Sequence, residues 1–182
     1  MRRIAHTAGQ RGMTLIEIMV SLTVLGILIL MGLPSFGEFL QNQQLRAATE
    51  ALMNGMQVAR GEAIKRNLAV QVSVGPGTGW TVTEAVTALP IQARSKNEGS
   101  PNAVVAVTPA GAAKVTFTPL GGVTANLDGS ATITQLDITN PAGGACQSTG
   151  PMRCLRVTIS GGGSLKMCDP NPGIATTDPR HC

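Results

Sequence analysis

Residues 18–37 read IMVSLTVLGILILMGLPSFG, an uncharged and mainly apolar run that constrains this chain more than any other stretch. At about 1.5 Å rise per residue, twenty helical residues span about 30 Å, the thickness of a bilayer's hydrocarbon core. One carboxylate, Glu17, stands at the head of the run. An unpaired charge at that depth costs several kcal/mol, so the acid calls for a partner. Arg2, Arg3 and Arg11 precede it. By the positive-inside rule they hold the N-terminal end in the cytoplasm and leave the remainder facing the periplasm. Residues 1–12 have no apolar stretch of their own. An ordinary secretory signal would end in a small-residue cleavage site after its apolar region, whereas here the apolar region follows the basic segment directly.

Past residue 37 the helical pattern continues in amphipathic form. Leu45, Ala48, Leu52, Met56, Ala59 and Ala63 recur at spacings of three and four and so share one face. Arg46 with Glu50, and Glu62 with Arg66, are i,i+4 pairs on the wetter faces. The pattern predicts a nearly continuous helix from residue 13 to about residue 67, on the order of 80 Å long. Pro34 removes one of its hydrogen bonds and is expected to kink or locally melt it. Gly26 and Gly32 are small-residue sites for close helix approach.

From residue 70 the period changes to two. Val70, Val72 and Val74 alternate with Gln71 and Ser73, and residues 80–83 resume a strand after a Gly-Pro-Gly turn. Residues 89–101 read as an irregular loop. Residues 103–108, 114–118, 131–139, 154–160 and 164–168 are further strand candidates, separated by Gly, Pro and Asn. Short strands with tight turns predict a small antiparallel sheet against one helix, an α+β domain. The expected organisation is a leader over 1–12 and a hydrophobic helix half over 13–40. A headpiece over 41–182 follows, made of an amphipathic helix (41–67), a β-rich part (68–168) and a coil tail (169–182).

Of the formal net charge of +4, three units come from Arg2, Arg3 and Arg11, leaving +1 without the leader. That balance makes no strong electrostatic case for nucleic acid. Three Phe, one Trp and no Tyr leave little for base stacking, and Trp80 reads as a core or turn residue. Cys146, Cys154, Cys168 and Cys182 all lie late in the chain and are even in number, which in an exported domain reads as two disulfides. Three pairings are open, and sequence proximity favours Cys146–Cys154 with Cys168–Cys182. A zinc site would use tighter pairs than C-x7-C and C-x13-C, so neither metal nor cofactor is expected. No nucleophile elbow, phosphate loop or paired carboxylates appear, which speaks against an enzyme.

The stretch Arg11-Gly12-Met13-Thr14-Leu15-Ile16-Glu17 and the apolar helix behind it resemble the N-terminus of a type IV prepilin. The resemblance implies a pilin-like fold, cleavage by prepilin peptidase between Gly12 and Met13, and N-methylation of Met13. Family members more often carry Phe where this chain has Met13. Glu17 is the fifth mature residue; by the resemblance it pairs with the N-terminal amine of a neighbouring subunit. Pro34 matches the helix-kinking proline of many pilins. Residues 57–67, QVARGEAIKRN, together with Gly79-Trp80-Thr81-Val82, residues 115–121 and the late Cys168-Asp169-Pro170 stretch, are similar to the FimT/FimU/GspH group of minor pilins and pseudopilins. This implies a structural subunit in the inner membrane, with a periplasmic headpiece, that primes or caps a type IV pilus. Its partners are other major and minor pilins. Two alternatives are a GspH-type pseudopilin of type II secretion and a DNA-binding minor pilin for natural transformation. DNA-binding members use a Gly-Arg-x-Arg element, and Gly163-Ser164-Leu165-Lys166 occupies those positions here. Arg153, Arg156, Lys166 and Arg180 are the candidate DNA contacts, against a plain solvated strand face as the default.

Overall fold

The computed structural model describes residues 12–182, the side chain of Pro34 excepted; the basic segment over 1–11 lies outside the described residues. One helix, α1 (Leu15–Arg66), begins the structure. Thr14 caps it, its Oγ1 accepting the Glu17 backbone N–H at 3.3 Å. Thr14-x-x-Glu17 is thus the start of a capping-box sequence, with the acid in the first turn where the helix dipole favours it. The helix ends in a Schellman arrangement: Asn67 adopts φ 54°, and Leu68 N–H donates to the Ala63 carbonyl at 3.3 Å. α1 is helical through Pro34, so the local melting expected of that residue does not occur. A long helix keeps its neighbouring hydrogen bonds when only one N–H is missing.

The chain divides into two compact units, residues 1–37 and 38–182. In the first, the apolar side chains lie open on every side of the helix; Leu22 is 62% exposed and Leu30 70%. Two hydroxyls of the run are satisfied within the helix, Ser21 donating to the Glu17 carbonyl at 2.7 Å and Thr23 to that of Met19 at 2.8 Å. Such back-bonding removes the polar penalty that free hydroxyls would meet in lipid.

In the second unit the C-terminal part of α1 buries Leu45, Ala48, Leu52, Met56, Ala59 and Ala63. Nine short strands follow: β1 (Val70–Val74), β2 (Trp80–Glu84), β3 (Pro90–Arg94), β4 (Val104–Thr108), β5 (Lys114–Phe117), β6 (Val123–Thr124), β7 (Gln135–Thr139), β8 (Leu155–Ile159) and β9 (Leu165–Cys168). They form not one sheet but two, both antiparallel, with orders β3-β2-β1-β5-β6 and β4-β7-β8-β9. Periodicity carries no information about pairing across distant strands, which is why a single sheet was expected. The two sheets meet without a shared ladder, at Ile133 N–H to the Lys114 carbonyl and Val123 N–H to the Gly161 carbonyl, each 2.9 Å.

Val72 faces Val82 on β2 and Val115 on β5, all three fully buried. The second sheet adds Leu136, Ile138, Val157 and Ile159 to the same core cluster. Within the expected loop over 89–101 lies β3. It is an edge strand whose one half-buried apolar side chain is Ile91, and whose Pro90 sits at the first position, where no ladder N–H is needed. Its alternation is too weak to read from sequence. The candidate over 131–139 shortens to β7, because residues 126–131 are gathered around buried Asn126. That side chain donates to the Ala131 and Ser130 carbonyls at 3.1 Å and accepts from Thr116 Oγ1 at 2.9 Å.

Candidate functional site

The predicted site residues fall into two groups. At the N-terminal end Gly12 has open space around its Cα, with nothing within 4 Å of where a Cβ would sit. Met13 is 75% exposed. Glu17 makes no ion pair among the described residues. Between residues 12 and 37 the chain therefore presents a single side-chain charge, held at a capped helix start.

The second group lies in the headpiece. Cys146 is bonded to Cys154 and Cys168 to Cys182, with Cα separations of 5.4 and 5.1 Å. The second bridge ties the tail to the end of β9. Asp169 N–H donating to the Arg180 carbonyl (2.7 Å) and Lys166 Nζ donating to the His181 carbonyl (2.9 Å) hold it further.

The four candidate DNA contacts are not gathered into one basic stripe. Arg156 pairs with Asp137 on the neighbouring strand, Nε to Oδ1 at 2.6 Å. Lys166 is engaged with the tail as described. Arg180 binds Asp178 through Nε and Nη2, at 3.1 and 2.8 Å. These bonds hold the Asp178 carboxyl down at about 2, the arginine side chain being the largest cause and its backbone N–H the next. The Asp128 carboxyl is likewise held well below its usual range, chiefly by Lys114 Nζ at 2.6 Å and by Ser130.

Arg153 and Arg180 do come together, with Arg46 from α1, around a groove of about 760 Å³ floored by Leu155 and Met167 and walled by Phe39. From the sequence alone Arg46 is half of a helix-surface pair with Glu50. The signal that points to it is the spacing of Phe39, Asn42, Gln43 and Arg46, which puts one helical face along the groove. Asn42 fixes the opposite wall: its Oδ1 accepts the Arg153 backbone N–H at 2.7 Å and its Nδ2 donates to the Pro151 carbonyl at 3.3 Å.

A further junction joins α1 to both sheets. Arg60 Nε donates to the Gly121 carbonyl at 2.9 Å. Gly163, at φ 76°, packs against that same carbonyl so closely that any Cβ would overlap it. The glycine of the Gly163-Ser164-Leu165-Lys166 element thus has a packing role in the hairpin turn.

Residues 48–163 match the family profile described as Type II transport protein GspH, and residues 7–33 match the prokaryotic N-terminal methylation motif. No curated protein matches the chain. Among solved structures, the type IV minor pilin FimU of Pseudomonas aeruginosa is similar in two crystal forms. In one the TM-score is 0.52 at 18% identity, covering 71% of this chain and 91% of FimU; in the other it is 0.48, also at 18% identity, covering 67% and 90%. The minor pseudopilin EpsH of the Vibrio cholerae type 2 secretion system aligns with a TM-score of 0.45 at 14% identity, covering 69% of this chain and 95% of EpsH. The FimU likeness at 0.52 concerns the fold, a long apolar helix with antiparallel sheets. A capped apolar helix with an N-terminal methylation motif, leading into a two-sheet headpiece that the family profile spans for most of its length, places the chain in the GspH family of minor type IV pilins and pseudopilins.

Proposed function

We propose that the chain is a minor pilin that primes or caps a type IV pilus, after prepilin peptidase cuts between Gly12 and Met13 and the new amine of Met13 is methylated. The observation that carries this reading is the first half of α1, whose 18-residue most apolar window has no part buried within the protein. Such a surface is stable only in lipid or against other apolar helices. Before assembly it anchors the chain in the inner membrane, with the headpiece in the periplasm. During assembly it leaves lipid for a bundle of neighbouring pilin helices. Glu17 then meets the amine of a neighbouring Met13, and in a low dielectric that pair sets the register between subunits. The role is structural, and no catalytic step is assigned.

A second reading, a pseudopilin of type II secretion, is favoured by the description of the matched family. It uses the same anchor and differs in its neighbours. DNA uptake is the weakest reading, because Arg156 and Arg180 are engaged by Asp137 and Asp178. The test is a clean deletion strain scored for sheared surface pili and for secreted proteins. Pili lost and restored by complementation support the priming subunit. Normal pili with lost secretion overturn it in favour of the pseudopilin.

A further inference from the structure

The first sheet ends in β3 and β6, the second in β4 and β9. An edge strand shows a row of unpaired N–H and C=O groups, and folded chains blunt such rows with proline, charge, bulges, short length or a covering segment. β3, β6 and β9 are blunted in these ways. β3 starts at Pro90, ends at Arg94 and slips register against β2 between Val82 and Thr83. β6 has two residues. Against the end of β9 lies the tail, with Asp169 bridged to His181, Lys166 Nζ donating to the His181 carbonyl at 2.9 Å and Cys168 bonded to Cys182.

β4 has none of these devices. Val104-Val105-Ala106-Val107-Thr108 carries neither charge nor proline, and it pairs with β7 along its whole length without a slip. Among the described residues, the backbone groups of residues 104–107 find no partner outside that ladder. The core face is open at this edge as well. Val105 and Val107 stand opposite Ile138 and Leu136, which are fully buried, and they pack against the same core cluster. Yet both valines are only half-buried. The second sheet stops one strand short of covering its own core face.

We infer that β4 accepts one more strand, an uncharged extended segment of a neighbouring subunit in which β-branched apolar residues alternate with small polar ones. The unpaired main-chain groups select an extended backbone, because that backbone offers donors and acceptors at the spacing of a ladder. Alternation follows from the two faces of the sheet. Side chains beside Val105 and Val107 cover the core, while those beside Val104, Ala106 and Thr108 meet solvent. β4 holds no counter-charge, so a charged segment would be desolvated against it without a partner. One short added strand covers far less than the roughly 1,200 Å² of a stable free complex. The contact therefore suits a subunit already held nearby in the same membrane, where effective concentration replaces area. A second copy pairing through its own β4 would need a twofold axis normal to the sheet, which reverses every direction along the sheet. The α1 segments of the two headpieces would then run oppositely, whereas subunits drawn from one membrane into one bundle run the same way. The inference rests on the chain being a subunit that packs beside others, and it names the edge and the chemistry of one such contact.

The test uses the full mature chain in mild detergent, with NMR amide exchange and peptide titration read at residues 104–108. The probes are two isomers of an acetylated heptapeptide of alternating threonine and valine, one N-methylated at every valine and the other at every threonine. Alternate residues of a strand direct their N–H groups to opposite edges, so each isomer keeps a single edge able to pair. The free chain should show fast exchange at alternate amides of β4. One isomer at millimolar concentration should slow those amides about tenfold, and the other should bind at least about tenfold more weakly, the weight of one or two main-chain bonds. Val105→Pro and Ala106→Pro complete the set. The one that removes a fast-exchanging N–H leaves the β7 ladder intact, so it should keep its melting temperature and abolish binding of the preferred isomer. Equal binding of the two isomers overturns the proposal, as does full protection of β4 in the free chain. So does undiminished binding to that folded proline variant. Self-association without peptide that the same variant abolishes would overturn it in favour of a second copy. This assay reads the edge alone, whereas the deletion strain reads the assembly role, so the two can fail separately.

Discussion

At the scale of single residues, Gly55 and Gly61 show how surroundings decide the sign of one substitution. Both lie in α1, where alanine is favoured over glycine by about 1 kcal/mol. A Cβ on Gly61 would meet nothing within 4 Å, while one on Gly55 would sit 2.8 Å from Cδ2 and Cε2 of the Trp80 indole. Trp80 is 3% exposed and joined to the core cluster, so the ring cannot withdraw without disturbing its neighbours. Gly61→Ala should raise stability by about 0.5–1 kcal/mol. Gly55→Ala should lower it by about 1–3 kcal/mol, because overpacking outweighs the helix-propensity gain. Urea unfolding of both variants in mild detergent checks the pair; a stabilised Gly55→Ala would mean that the indole moves freely.

At the scale of elements, the tail over residues 169–182 has little apolar burial and is held by discrete bonds. One of these is pH-dependent. The Asp178 carboxyl lies at about 2 against an ordinary 3.8, because it accepts bonds from the side chain and backbone of Arg180. Its folded value is depressed, so its contribution is present above about pH 4 and is lost as the pH falls towards 2. The Arg180 side chain is 68% exposed and that of Asp178 26%, so solvent screens the pair and the effect is modest and weakens with salt. Melting temperatures of the wild type and Asp178→Asn should therefore differ at pH 6 and converge by pH 2. A difference that persists unchanged at pH 2 would show that Asp178 acts through something other than its charge.

At the scale of the whole molecule, the two units have opposite requirements. The headpiece buries its apolar face within itself, while the first unit exposes its apolar surface and must find lipid or other helices. In that setting Glu17 is the one charged side chain presented by the described part of the first unit. Among the described residues the Glu17 side chain takes part in no hydrogen bond or ion pair, so for Glu17→Ala folding, insertion and cleavage should be normal. The variant should be incorporated into filaments poorly. Immunoblots of the sheared and membrane fractions separate these outcomes, and full incorporation of the variant would sink the charge-pair reading.

The sequence by itself determined what depends on neighbours along the chain. The uncharged run, Glu17 at its head and the Leu45-to-Ala63 stripe are periodic features, and a helix's period converts them directly into a face. The Thr14-x-x-Glu17 cap and the Phe39-to-Arg46 spacing are equally local features of the sequence. The alternating valines of β1 gave a strand for the same reason. Only the tertiary structure decided what depends on residues far apart. The split into two sheets, the edge strand β3, the indole of Trp80 lying on Gly55, and the meeting of Arg46, Arg153 and Arg180 around one hollow all arise from packing between distant segments. Sequence spacing does not encode such contacts, because they are selected by the volume and polarity of the whole core rather than by any one segment's period.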